Sequence, residues 1–301
     1  MPTLVDCFNC AVGEQQIARG VSFQRQYRFE RLTSQSEAGP GDHSDDKGAC
    51  DISCRIEAQD PLILPTILAL TYPQLVGASG KVKGGTTYNR WRVLHAMLNE
   101  FSLSIEDGRP GTCSFGFRNR ATRGTAYTVA NRKIEMPNAV TAVGPIVPTL
   151  PTTIRILSGS FTPLGGGATS LDGITRLTLS GRARESGEVS WPGAEFVDDL
   201  HYDAWEITGT VDFKDKTLTN GELVADYLGS LLRGTLTVVC KPTGSSEGAV
   251  TNRTITIGQM DFSEGADNLR TKDDAEGPLS FGVLLKSGDT YLSPAEVIGV
   301  A

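Results

Sequence analysis

Gly111-Thr112-Cys113-Ser114-Phe115-Gly116-Phe117 and Gly277-Pro278-Leu279-Ser280-Phe281-Gly282-Val283 carry Gly, Ser, Phe and Gly at identical spacing, and reading them as two copies of one strand decides the fold. Each is preceded by Asn-Arg and an alternating apolar run that ends in Met: Asn89-Arg90-Trp91-Arg92-Val93-Leu94-His95-Ala96-Met97 and Asn252-Arg253-Thr254-Ile255-Thr256-Ile257-Gly258-Gln259-Met260. The offset is 163 residues at the Asn-Arg runs and 166 at the Gly-Ser-Phe-Gly stretches. Working outward, Gly20 to Phe23 can be laid on Gly173 to Arg176 at 153, and Asp51 to Asp60 on Glu206 to Asp215 at 155. Loops change length cheaply and strands do not, so this slow drift reads as one β-rich unit present twice. The expected organisation is a first β domain over 1–135, a proline-rich connector over 136–153 and a second β domain over 154–301.

The chain has 301 residues, enough for two domains that each bury a core. Its 39% hydrophobic and 21% charged content are those of a globular protein. No apolar run has the length to cross a bilayer, and Met1 to Asp6 lacks the basic start and apolar core of a secretory signal; the expectation is a cytoplasmic product with no membrane partner. A net charge of −7 argues against a surface that wraps nucleic acid, because such surfaces are basic. It is compatible with a wall past which DNA slides without sticking.

Within each unit the alternation of apolar and polar residues reads as strands at Gln16 to Arg31, Ile52 to Ala58, Trp205 to Phe213, Gly234 to Cys240, Thr254 to Met260 and Leu279 to Leu285. Two apolar segments read as short helices, Pro65 to Leu75 and Asn220 to Gly234. Two polar stretches read as long exposed loops, one arm at the same place in each unit. The first, Ser34 to Gly48, holds Glu37, Asp42, Asp45 and Asp46; the second, Arg182 to Tyr202, holds Glu185, Glu188, Trp191, Glu195, Asp198 and Asp199.

Chemistry is sparse. The three histidines, His43, His95 and His201, stand in unrelated contexts, and no HExxH, phosphate-binding loop or dinucleotide fingerprint occurs. The carboxylate pairs Asp198-Asp199 and Asp273-Asp274 lie on polar stretches and read as solvated surface. Cys7 and Cys10 form a CxxC, and Cys50 and Cys54 a CxxxC. Together they could hold zinc or an iron–sulfur cluster if the chain between them folds back. The competing reading, which the missing secretory signal favours, is reduced, mostly buried thiols, with Cys54 at an ordinary strand position, and no cofactor.

A unit of strand, long polar arm, strand, short helix and further strands closing on a Ser-Phe-Gly strand resembles the tail-tube domain of long-tailed bacteriophages. The resemblance is carried by Leu171-Asp172-Gly173-Ile174-Thr175-Arg176-Leu177-Thr178-Leu179, by Ile207-Thr208-Gly209-Thr210-Val211 and by Thr254-Ile255-Thr256-Ile257; it covers most of the second unit and the first more loosely. It implies a mainly β fold of two tandem β-sandwich domains, in the duplicated form where three chains supply a six-domain ring. It implies a structural virion protein and not an enzyme: stacked rings form a tube with an acidic lumen that conducts DNA, and the arms bridge rings. The implied partners are further copies of the chain, other tail proteins such as tape measure, terminator and tail-tip proteins, and DNA in transit; the implied location is the virion tail, after assembly in the host cytoplasm. The N-terminal CxxC and Pro73 depart from the family pattern. Two other readings stand beside it: a distal-tail or baseplate-hub ring, and a non-viral two-domain β-sandwich that binds a ligand or hydrolyses glycans.

Overall fold

A computed structural model describes residues 5–12, 15–17, 21–27, 30–33, 43–46, 50–58, 61–72, 74–82, 88–119, 134–135, 153–171, 173–189, 199–214, 233–243, 252–264, 279–287 and 290–300. In the first half these form β1 (Val5–Val12), β2 (Gln15–Ile17), β3 (Val21–Tyr27), β4 (Glu30–Thr33), β5 (His43–Asp46) and β6 (Cys50–Ala58). A 3-10 turn at Pro61–Ile63 leads into α1 (Leu64–Leu68). Then come β7 (Gln74–Val82), β8 (Tyr88–Glu106), β9 (Arg109–Pro110), β10 (Thr112–Asn119) and β11 (Ile134–Glu135). The second half has β12 (Thr153–Pro163), β13 (Thr169–Ser170), β14 (Ile174–Val189), β15 (Asp199–Phe213), β16 (Gly234–Thr243), β17 (Arg253–Glu264) and β18 (Leu279–Val283). It ends with β19 (Lys286–Ser287), β20 (Thr290–Tyr291), α2 (Pro294–Val297) and β21 (Ile298–Val300). The protein is mainly β, with one large antiparallel sheet and few helices.

The pairing order is the same in both halves. In the first it runs β3-β6-β10-β8-β7-β1, with β2 on β1 and β11 on β8. In the second it runs β14-β15-β18-β17-β16-β12, with β13 on β12 and β21 on β17. β8 is long enough to serve two neighbourhoods: Gln74 to Lys81 of β7 pair with its N-terminal half, while β10 pairs with Ala96 to Ser104. The register with β10 slips at Asn99, where an extra residue bends the strand between the two neighbourhoods. β17 turns at the same stage of its course, where Gln259 has φ 54°, a left-handed conformation unusual for a residue with a Cβ.

The halves share hydrogen bonds directly. The outer edge of β8 pairs with β14 from Glu106↔Arg176 to Glu100↔Arg182, and β9 pairs with the start of β12. The tight turn after β8 holds this junction. Gly108 takes φ 73° there and donates its N–H to Ile154 O, Asp107 N donates to Thr175 O, and Asp107 Oδ1 accepts from Ile156 N at 2.9 Å and from Arg155 Nε at 3.1 Å. The result is one continuous antiparallel run of strands, β3-β6-β10-β8-β14-β15-β18-β17.

Period-two alternation decides which face of this run is buried. In β10 Cys113, Phe115 and Phe117 are buried, and in β18 Leu279, Phe281 and Val283, position for position at an offset of 166. The same face carries Phe101, Leu103 and Ile105 of β8, Leu177 and Leu179 of β14, and Ile207 and Val211 of β15. Glycines opposite the large rings make room for them. A Cβ on Gly181 would stand 2.2 Å from Phe101, and one on Gly209 would stand 2.3 Å from Phe281 and 2.4 Å from Thr178 O. Gly111, first residue of the repeated stretch, admits Pro61 in the same way at 2.6 Å. That contact seats the helical segment, whose Leu64, Ile67 and Leu68 are buried.

Two expectations need correction. The first helix spans Leu64–Leu68 and not Pro65 to Leu75; Pro65 suits a first turn, where no N–H is needed, and Gln74 already begins a strand. The arms are not simply loops. β14 and β15 stay paired out to Val189↔Asp199, and β4 and β5 pair from Glu30↔Asp46 to Thr33↔His43. A polar composition is compatible with such a hairpin because its backbone satisfies its own hydrogen bonds. Residues 136–152 of the connector and most of the second expected helix, 215–232, lie outside the described residues; Gly234 begins β16.

Candidate functional site

The face opposite the core defines the site. Strand pairing arranges its side chains in rows that run across the wall. In the middle, Ser114, Ser102, Ser180 and Thr208 share one row, and Thr112, Ser104, Thr178, Thr210 and Ser280 the next. Their hydroxyls bond across strands: Ser102 Oγ to Ser114 Oγ at 2.7 Å, Thr178 Oγ1 to Thr210 Oγ1 at 2.6 Å, and Ser180 Oγ to Thr208 Oγ1 at 3.2 Å. Hydroxyl pairs of this kind contribute about 0.2–1 kcal/mol each. The Ser of the repeated Gly-Ser-Phe-Gly therefore faces this band in both copies while its Phe faces the core.

Charged rows flank the hydroxyl band on both sides. On one side Arg55, Glu100, Arg182 and Glu206 follow one another, with Gly116 between the first two. On the other, Glu106, Arg176 and Asp212 lie side by side. The signs alternate along both rows. Gly116 matters to the first: a Cβ there would stand 2.3 Å from Glu100 Cγ, so the Glu100 side chain lies across the glycine and brings Oε1 to 3.9 Å from Arg55 Nη1. Arg55 Nη2 also donates to Ser114 Oγ at 3.1 Å, joining the charged row to the hydroxyl band. Both partners of the ion pair are about half exposed, so it orders the face more than it stabilises the fold.

At the end of the charged row a polar cavity of about 390 Å³ is lined by Asn99, Glu100, Arg118, Arg182, Arg184 and Glu206. Asn99 Oδ1, from the bulge residue of β8, is buried there without a hydrogen-bond partner among the described residues. Two buried thiols lie on the apolar side, Cys113 and Cys240. Burial pushes the Cys240 thiol up to about 12, and the negative charge of Asp107 adds to the shift.

The residues singled out in the sequence fall elsewhere. Cys7 and Cys10 are on β1, and Cys50 and Cys54 on β6, strands that do not pair with each other: β1 pairs with β2 and β7, and β6 with β3 and β10. Among the described residues no group of three or more His, Cys, Asp or Glu is placed to hold a metal ion. Asp45 and Asp46 are on β5, Glu185 and Glu188 on the outer part of β14, and Asp199 opens β15. Glu37, Asp42, Trp191, Glu195 and Asp198 lie outside the described residues. Sequence reading missed the polar rows themselves. Their signal was hydroxyls at every second position, as in Ser102-Leu103-Ser104, Thr178-Leu179-Ser180 and Thr208-Gly209-Thr210, framed by charges of both signs.

Among the described residues no helix is long and apolar enough to cross a membrane. Compared with known proteins, the chain matches no family model and no curated protein.

Proposed function

We propose that the chain is a structural subunit of a tubular conduit, of the kind that forms the tail tube of long-tailed bacteriophages. One observation carries this reading. The same pairing order occurs in both halves, and the inner four strands of each join edge to edge into one eight-stranded wall with an apolar back and a hydroxyl-and-charge front. In this reading the halves are duplicated β-sandwich domains, and three copies repeat the joint between halves to close a pseudo-hexameric barrel. The polar rows line the lumen. At a strand spacing of about 4.8 Å and a tilt of about 40°, a barrel of three such walls would measure roughly 48 Å across its backbone, wide enough to pass duplex DNA. The hairpins β4–β5 and β14–β15 are the arms that reach from ring to ring, and other tail proteins cap the tube.

Light scattering coupled to size exclusion over a concentration series, with negative-stain images of the same fractions, tests the reading. Trimers that grow into hollow tubes are the expected result. Rings that never stack would move the protein to a distal-tail or hub position, and a monomer at every concentration would overturn the conduit.

A further inference from the structure

The wall has two outer edges, and the joint between the halves shows how they fit each other. Among the described residues β3 pairs only with β6, leaving its other edge open, and Asp261 to Glu264 of β17 pair only with β18. Long open edges invite pairing. At the internal joint, β8 meets β14 with Phe101 opposite Gly181 and Glu100 opposite Arg182. Pairing within the halves fixes which residues stand in for these at the outer edges. Gly116 is flanked by Glu100 and Arg55, and Arg55 by Ser22; Gly282 is flanked by Asp261 and Thr208, and Thr208 by Ser180. Asp261 thus takes the place of Glu100, Phe262 that of Phe101, and Ser22 that of Ser180, at an offset of 158 and not the 153 read from the sequence, so Gln24 takes the place of Arg182.

We infer that β17 of one copy pairs antiparallel with β3 of a second copy of this chain, in the register that sets Phe262 opposite Phe23 and Asp261 opposite Gln24. This rests on the conduit reading and adds to it the partner strand and the residues that meet. The joint is heterologous, so it propagates in one direction and closes by rotation instead of ending at a dimer. It also differs in chemistry from the internal joint. Where Arg182 meets Glu100 inside the chain, Asp261 meets a neutral Gln24 between chains. Where Phe101 lies over Gly181, the Phe262 ring already packs on Phe161 and Phe281, with centroids 5.5 and 6.0 Å away. The inter-chain joint is therefore the weaker one, as a subunit that must remain soluble before assembly requires.

The double variant Gln24→Cys with Asp261→Cys tests the register under mild oxidation, because directly opposed residues have the 4.5–5.5 Å Cα separation that a disulfide spans. The expected result is a covalent ladder ending at the trimer on non-reducing gels, above the background of the parent's own cysteines, with neither single variant giving a ladder. Hollow tubes without cross-linking would overturn the register while leaving the conduit standing. Dimers from Gln24→Cys alone would show a β3-to-β3 joint and overturn the heterologous pairing, and monomers throughout would sink both readings. A second pair of variants needs no disulfide: Gln24→Glu, which opposes two carboxylates, should raise the concentration at which assembly is half complete by about threefold, and Gln24→Lys should not. Equal effects of the two would also overturn the register.

Discussion

Gly209 and Gly282 lie on adjacent strands, and only one of them is spatially required. A Cβ at Gly209 would collide with the Phe281 ring and with a backbone oxygen that cannot move aside; at Gly282 nothing lies within 4 Å. Gly209→Ala should therefore destabilise by about 2 kcal/mol, while Gly282→Ala stays within about 0.5 kcal/mol of the parent, read as shifts in urea midpoint. Cys240 makes a second prediction at this scale. Its thiol keeps its proton in the folded chain up to about pH 12, against a reference value of 9.0. Below pH 9 both states are protonated and the thiol adds no pH dependence. Between pH 9 and 12 the unfolded chain releases a proton that the folded chain retains, so stability falls as pH rises, by at most about 1.4 kcal/mol per pH unit. Cys240→Ala should flatten that part of the stability profile. Tyr72, raised by burial and donating to Ile67 O at 2.8 Å, adds the same sign of slope above pH 10, and Tyr72→Phe removes it.

The turn between β8 and β9 is the element that joins the halves. Asp107 Oδ1 accepts from Ile156 N and from Arg155 Nε. Asp107→Ala leaves a part-buried N–H without that acceptor and should cost about 1–3 kcal/mol, whereas Asp107→Asn keeps a carbonyl oxygen in place and should cost less. Asp107→Asn should also lower the Cys240 thiol toward its ordinary range, since the carboxylate's charge is one cause of its elevation; a thiol titration by alkaline absorbance would read this. Elements of this kind show what sequence could reveal. The alternation in Thr112 to Phe117 and Leu279 to Val283 announced strands with one buried face, because period two is local. The hairpin arms were misread because their composition is polar, and composition reports burial, not backbone pairing. Nothing local could show that β8 turns at Asn99 from one set of neighbours to another, nor that its other edge meets β14, 70 to 82 residues on.

At the scale of the whole molecule, the conduit proposed above sets a problem that the polar face would have to solve. Arg55, Arg176 and Arg182 on a lumen wall would hold phosphates, since each contact releases counterions and adds to non-specific affinity. Here each arginine is set beside carboxylates in its own row: Arg182 between Glu100 and Glu206, and Arg176 between Glu106 and Asp212. Charges cancel within the row of Arg55, Glu100, Arg182 and Glu206 and leave one negative charge in that of Glu106, Arg176 and Asp212, and the chain as a whole carries −7. The parent protein should therefore not retain duplex DNA at physiological salt. Removing the four carboxylates together, as Glu100→Gln, Glu106→Gln, Glu206→Gln and Asp212→Asn, leaves the hydroxyl band intact and exposes the arginines. That variant should bind a fluorescent duplex with a dissociation constant of about 10⁻⁴–10⁻⁶ M, and raising the salt from 50 to 200 mM should weaken it steeply. Anisotropy titrations of parent and variant, each with a matched circular dichroism spectrum to show that the sheet persists, decide the matter. A parent that binds as tightly as the variant would mean that the rows do not mask the arginines, and the polar face would then be a nucleic-acid grip instead of a passage.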